Sequence, residues 1–227
     1  MKEVIVISLG GSQIFLNGKI NTSFLRKFKL LIIKYSRKYK FVIVTGGGSI
    51  ARIYIEGLKD RGHKLQSFAG ISITRHNARF LSYFFGEDNT EGIPHTMPEL
   101  RKLLNRKNVV FTGALEYHPN QTSDTTSAQI AKELGAEFIN ITNVDGLFTS
   151  NPKKNKNAKL IKEISWKGFH DIASKMAFHP GQHFVLDQKA SKIIMDHNIK
   201  TYIVGGNLNN LNKVLNGEEF RGTLIFG

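Results

Sequence analysis

Phe41 to Arg52 reads FVIVTGGGSIAR, and the fold turns on this stretch. Phe41, Val42, Ile43 and Val44 form an unbroken apolar run, too short for a helix and rich in β-branched side chains. Such a run reads as a strand buried on both faces. Thr45 ends it, and Gly46, Gly47 and Gly48 follow, where no side chain keeps a ligand from the backbone. Ser49 is placed to cap a helix that opens with Ile50 and Ala51 and carries Arg52 in its first turn. Free N–H groups at that helix start make an anion site. The spacings of the Walker A loop and of the dinucleotide fingerprint are both absent. Taken alone, the segment also reads as a tight strand–helix turn with nothing bound.

The same grammar recurs on either side. Val4 to Leu9 is a short apolar strand stopped by Gly10 and Gly11, with Ser12 offering a hydroxyl at the turn. Asn17-Gly18 marks a small hairpin within Phe15 to Ile20. A helix is expected from Thr22 to Tyr39, with Phe24, Leu25, Phe28, Leu31, Ile32 and Tyr35 as its apolar stripe and a basic, solvated outer face. A second helix is expected from Ser67 or Phe68 to Phe85, with Arg75 and Asn77 open to a ligand. Thr96 to Glu99 is a capping box, and Val109 to Thr112 is a strand closed by Gly113. Polar Leu115 to Ser127 leads into a helix from Thr125 that Asp124 is placed to cap. Phe138 to Ile141 and Thr201 to Val204 are further strands, a helix spans His183 to Asn198, and Asn207 caps one that runs to Leu215. Thr223 to Phe226 is expected as the closing edge strand.

Regular strand–helix alternation with glycine-terminated strands indicates an α/β fold, a three-layer sandwich with a mostly parallel sheet and helices on both faces. Ligands in such sheets bind beyond the C-terminal strand ends. Gly10-Gly11, Gly46 to Gly48, Gly113, Thr142-Asn143 and Gly205-Gly206 are all expected on that one edge.

Composition narrows the chemistry. The 227 residues hold 41% apolar side chains and no cysteine, which fits an ordered core and excludes disulfides and thiolate zinc sites. The formal net charge of +14 suits anionic metabolites such as nucleotides as well as nucleic acid. The opening MKEVIVISLGG is too short for a signal peptide and no stretch approaches a membrane span, so a cytoplasmic protein with no membrane partner is expected. His179 and His183 have metal-pair spacing, but Pro180-Gly181 between them argues against a continuous helix, and no metal site is expected. Phosphoryl transfer asks little covalent chemistry of a protein: two phosphate groups held in line with their charge neutralised. Glycine loops, helix starts, Arg and a nucleotide-borne Mg²⁺ suffice, and a phosphate acceptor needs no general base.

The chain resembles the archaeal-type uridylate kinases of the amino acid kinase superfamily. The matching stretches are SLGGS (Ser8 to Ser12), VTGGGSIAR (Val44 to Arg52), AGISITRHNA (Ala69 to Ala78) and HPNQTSD (His118 to Asp124). ITNVDGLFTSNPKKNKNAKLI (Ile141 to Ile161) and LDQKASKII (Leu186 to Ile194) complete the likeness, in order, over nearly the whole chain.

The resemblance implies a single domain over 1–227, acceptor side mainly N-terminal and ATP side mainly C-terminal, transferring the γ-phosphoryl of ATP to UMP. It places Gly10 and Gly11 on the ATP phosphates, Gly47 on UMP, and Gly48 and Arg52 toward ATP. Ser67 stands at the UMP ribose and Arg75 near the UMP phosphate. Tyr117, His118, Pro119, Asn120, Gln121, Thr122 and Ser123 would wrap UMP, while Thr142, Asn143, Phe148 and Asn151 match positions that hold adenosine. Gly10, Ser12, Arg52 and Asp124 are the implied catalytic group, with Mg²⁺ arriving on ATP and a homo-oligomer, a hexamer built from dimers, as the assembly. Several positions depart from the pattern. Ser8 replaces a common Lys, Ser67 an Asp, Ala114 and Asn120 each a Gly, and Phe148 and Asn151 the more usual Tyr and Asp. These departures keep two alternatives open: a superfamily kinase acting on another small phosphorylated acceptor, and a catalytically weak nucleotide-binding protein. Nucleic acid is the less expected partner.

Overall fold

The computed structural model describes residues 2–87, 92–118, 121–152, 154–175 and 185–227. Its elements in chain order are β1 (Glu3–Leu9), α1 (Gly11–Ile14), β2 (Phe15–Leu16), β3 (Lys19–Ile20), α2 (Thr22–Tyr35) and β4 (Tyr39–Thr45). Then come α3 (Gly48–Gly57), α4 (His63–Phe85), α5 (Met97–Arg106), β5 (Val109–Thr112), α6 (Ser123–Leu134) and β6 (Glu137–Ile141). The chain closes with β7 (Glu163–Ile164), α7 (Trp166–Ser174), α8 (Gln188–Asp196), β8 (Thr201–Val204), α9 (Leu208–Asn216) and β9 (Gly222–Ile225).

The main sheet has the order β5-β4-β1-β6-β8-β9-β7. Its first five strands are parallel, β9 runs antiparallel to β8, and β7 pairs parallel to β9. Strand alternation sorts the core into two layers. Ile5, Ile7 and Leu9 face Phe24, Leu25, Phe28 and Ile32 of α2, Leu81 of α4 and Leu211 of α9. Val6, Val42 and Val44 face Leu100 of α5, Ile130 of α6, Phe169 of α7 and Ile194 of α8. The result is a three-layer sandwich with a mostly parallel sheet and helices on both faces. Truncating a fully buried ring such as Phe28 or Phe169 to Ala would cost about 3–5 kcal/mol. The expected hairpin is present, with Asn17 at φ 51° and Gly18 at φ 74°.

Several expected boundaries move, each for a local reason. The first long helix stops at Tyr35, not Tyr39, because Tyr39 begins the β4 ladder opposite Glu3 of β1. The α3 cap is Gly47 and Ser49 lies inside the helix. Asp124 likewise sits in the first turn of α6, whose cap is Thr122 accepting from the Asp124 N–H. α4 starts at His63, a turn earlier than expected. α8 begins at Gln188, where the Asp187 carboxylate accepts from Ala190 N at 2.8 Å. The last strand is internal, because β7 lies outside it. α7 occupies Trp166–Ser174, the first part of a stretch to Phe178 whose sequence pattern reads ambiguously, as a broken helix; His179 and His183 lie outside the described residues.

Candidate active site

Five parallel strands deliver their C-terminal ends to one edge, so the expected clustering of glycine turns there is what the sheet builds. The turns after β1 and β4 touch backbone to backbone. A Cβ at Gly11 would overlap the Gly48 N and Cα, and a Cβ at Gly46 would come within 2.9 Å of Gly11 N. Gly48 has φ 64°, a conformation that glycine adopts without strain. Gly10 N donates to Ile141 O at 3.1 Å and Gly46 N to Leu9 O at 2.9 Å, which ties the ends of β1, β4 and β6 together. The exposed Ser12 hydroxyl and Arg52 side chain flank this junction on α1 and α3.

Beneath it lies a polar cluster. Period-two alternation puts Ser8 on the α6 side of the sheet, where its hydroxyl donates to Asp124 Oδ1 at 3.0 Å. Burial, together with the nearby Asp187 carboxylate, pushes the Asp124 carboxyl up to about 7, and the Ser8 hydrogen bond opposes the shift. Asp187 is buried and accepts from Thr125 Oγ1 at 2.8 Å and from Thr122 Oγ1. The Thr122 hydroxyl, expected to face the acceptor, is therefore committed to capping α6 and to Asp187.

On the other side, α4 carries Ser67 and Arg75. The Ser67 hydroxyl donates to His63 O at 2.8 Å, within its own helix. Arg75 is half-buried; its Nε donates to Ala114 O at 2.9 Å and its guanidinium also binds Leu115 O. Burial lowers its pKa from the usual arginine value. Arg75 thus braces the loop after β5. In that loop Tyr117 packs on Phe68 of α4, with ring centroids 5.0 Å apart. His118 is exposed, Gln121 is partly buried and Ser123 opens α6, while Pro119 and Asn120 lie outside the described residues.

Thr142 and Asn143 follow β6. Gln13 Nε2 donates to Thr142 O at 2.9 Å and so links this turn to α1. Phe148 bridges to Leu160 and Asn151 is exposed; both belong to the basic, Asn-rich stretch Phe148 to Lys162, an excursion beyond β6 that stands away from the glycine junction's own hydrogen bonds. Among the described residues no buried side-chain polar atom lacks a hydrogen-bond partner.

The profile of the Amino acid kinase family matches residues 3–205. The chain belongs to the amino acid kinase family. It is 35% identical over 204 residues to a uridylate kinase of Pyrococcus abyssi, covering 88% of this chain and 89% of that protein. A uridylate kinase of Archaeoglobus fulgidus is 32% identical over 224 residues, 97% of this chain and 99% of that one. The crystal structure of uridylate kinase from Archaeoglobus fulgidus superposes with a TM-score of 0.82 at 32% identity, over 99% of this chain and all of that one. A UMP kinase structure from Bacillus anthracis, at 23% identity and a TM-score of 0.78, shares the fold.

Within this amino acid kinase framework, sequence reading missed two side chains and misread a third. Asp187 lies inside the helix expected from His183 to Asn198, whereas it caps α8, which opens at Gln188; an acid that accepts from the third residue on is the signal that could have found it. Gln13 is a polar residue buried among apolar ones, wedged against Gly206. Asn77, expected to be open to a ligand, is instead buried and donates to Gly46 O at 2.8 Å.

Proposed function

We propose that this chain transfers the γ-phosphoryl group of ATP to UMP, giving ADP and UDP. The observation that carries the reading is the junction of two glycine turns, backbone on backbone, at the C-terminal sheet edge. A phosphate oxygen of UMP forms a bond to the γ-phosphorus as the bond from that phosphorus to the bridging oxygen of ADP breaks. The acceptor is already an anion, so the protein's work is positioning and charge stabilisation.

In this reading Gly11 and Gly48 hold the ATP phosphates through their amides, while Gly10, its own amide on Ile141 O, lets the turn approach them closely; Gly47 meets the acceptor, and Arg52 stabilises charge that develops in transfer. Arg75 holds the start of the acceptor loop, Ala114 and Leu115, against α4, with Tyr117, His118, Gln121 and Ser123 toward UMP. Ser67 holds the place in the sequence that the family resemblance gives to the UMP ribose contact, and its hydroxyl is already bonded to His63 O. Thr142, Asn143, Phe148 and Asn151 receive adenosine. Asp124 with Ser8 sets the polarity beneath the junction. The junction offers mostly amides and hydroxyls, and the Asp124 and Asp187 carboxylates beneath it are engaged by Ser8, Thr122 and Thr125, a donor set suited to a metal that rides on the nucleotide. Mg²⁺ so delivered neutralises phosphate charge. The same proposal takes residues 1–227 as one domain with the acceptor on its N-terminal side. It also includes a cytoplasmic setting and a homo-oligomer built from dimers. No helix among the described residues is long and apolar enough to cross a membrane. Exposed Ile53, Tyr54 and Leu65 on and after α3 offer an apolar face for self-association.

The test is transfer from Mg·ATP to each nucleoside monophosphate. UDP formation in clear preference to the other products is expected. Transfer to a different small phosphorylated acceptor, with none to UMP, overturns the substrate assignment. The engaged Ser67 hydroxyl favours that second reading, and a competition scan of anionic acceptors separates the two.

A further inference from the structure

One helical turn of α4, Thr74 to Asn77, underlies both loops of the acceptor side. Thr45 Oγ1 donates to Thr74 O at 2.7 Å, and Ala114 N donates to Thr74 Oγ1 at 3.0 Å. A Cβ at Gly113 would overlap the Arg75 N and lie 2.6 Å from the Thr74 carbonyl carbon, so the β5 turn rests directly on this backbone. Asn77 completes the support. It is 1% exposed and its Nδ2 donates to Gly46 O at 2.8 Å. No ligand at the edge reaches this side chain, so its effect on chemistry runs through the peptide it holds.

Peptide planarity turns that bond into an orientation. In a trans peptide the carbonyl and the following N–H point in opposite directions. With Gly46 C=O held toward α4, the Gly47 N–H points away from α4. That N–H donates to no backbone carbonyl among the described turns and loops. Glycine on both sides of the peptide removes the steric barrier that would otherwise hold it, so its direction depends on an external bond.

We infer that Asn77 is a positioning residue for phosphoryl transfer: its buried carboxamide fixes the Gly46–Gly47 peptide so that the Gly47 amide faces the transferring group. The inference rests on the kinase reading above. It separates Asn77 from Arg75, its neighbour on the same turn, which braces the acceptor loop through Ala114 and Leu115.

The experiment compares wild type with Asn77→Ala, Asn77→Asp and Thr201→Val. Thr201 is buried at the opposite end of the strands, and its hydroxyl donates to Ile199 O at 2.9 Å, so its loss mimics a deleted buried hydrogen bond away from the site. Asn77→Ala is expected to lower kcat about 30-fold or more, with KM for ATP and for UMP within about threefold, as a misoriented donor to the transition state requires. Asn77→Asp keeps the shape but turns an acceptor toward Gly46 O, and it falls at least as far. Thr201→Val loses comparable thermal stability and keeps kcat within about twofold. The near-isosteric Asp variant decides the matter if the Ala variant melts below the assay temperature. Wild-type kcat in either folded Asn77 variant, or an equal loss in Thr201→Val, overturns the inference. The split is measured on whichever phosphorylated acceptor the wild type uses, so failure of the UMP reading shows in the wild type and failure of this inference shows in the variants.

Discussion

The two ends of the strand edge are built to different tolerances. At the glycine junction Gly11 rests on Gly48, Asn77 and Thr74 support the loops from one side, and Ser8, Asp124 and Asp187 fill the other. Beyond β6, Asn143 and Asn151 are exposed, and the excursion joins the sheet through bonds at its base, such as Ile161 N to Leu147 O at 2.8 Å and Leu147 N to Thr223 Oγ1 at 2.8 Å, while bonds such as Thr149 N to Lys159 O at 2.9 Å tie its outer turn within itself. Exposed Lys154, Lys156 and Lys159 lie along it. Under the proposed kinase reading, the contrast matches a division of labour. Reacting phosphates need donors fixed to within a fraction of an ångström, whereas adenosine recognition tolerates an open, adjustable wall.

The sharpest way to break this comparison is Gly11→Ala. The added methyl enters the Gly48 backbone, which cannot yield as a flexible side chain would. A displacement of about an ångström there should lower kcat about 100-fold or more. Gly57→Ala is the control, because a Cβ at Gly57 meets nothing within 4 Å. Activity within about twofold is expected for it. Equal tolerance of both substitutions would show that the junction is not tightly held.

The arginines come next. Arg52→Ala and Arg75→Ala should each reduce kcat/KM about 100-fold while the fold survives. They should differ in kind. Arg52 is exposed at the junction and its loss appears in kcat, whereas Arg75 braces the Ala114–Leu115 loop and its loss raises KM for UMP. Lysine should not rescue Arg75, since an ammonium lacks the fork that spans two carbonyls. Changes below about threefold at both positions would contradict the assigned roles.

Asp124 sharpens the contrast through pH. Its folded carboxyl titrates near 7, against an ordinary 3.8, chiefly because it is buried. A carboxyl whose native pKa is raised binds its proton more tightly when folded. Its contribution therefore favours the fold at low pH and is lost as pH climbs from about 4 toward 7. Asp124→Asn should raise Tm by several degrees at pH 8, a gain that shrinks toward pH 4, while transfer falls. A stabilised but less active variant would mark the cluster as strained for function. Equal destabilisation at both pH values would show that the ionised carboxylate is not costly there.

What was legible in the sequence was set by periodicity. Apolar runs such as Phe41 to Val44 and the glycines after them place the parallel strands and their shared edge, because burial and backbone freedom are properties of the residues themselves. Helix starts were less legible: Ser49 and Asp124 are good capping residues in isolation, but Gly47 and Thr122 hold the cap positions once the β4 turn and the Asp187 contact are formed. Asn77 and Asp187 act through partners tens of residues away, Gly46 and Thr122, so only the assembled fold reveals their bonds. The motif residues Thr122 and Ser67 show the converse, since their hydroxyls are engaged within the protein.

The smallest expected effect tests the open side. Phe148 is half-buried and its backbone pairs with Leu160 across the excursion; in the proposed reading its ring offers a face to the adenine base. Phe148→Ala should raise KM for ATP about 5- to 10-fold, equivalent to about 1–1.4 kcal/mol of lost aromatic contact, and leave KM for UMP unchanged. Phe148→Tyr keeps the ring and should remain within about twofold of wild type. Kinetics against both nucleotides distinguish the outcomes. If Phe148→Ala lowered kcat as deeply as Gly11→Ala, the excursion would have to share the precision of the glycine junction, and the two ends of the edge would form one constrained site.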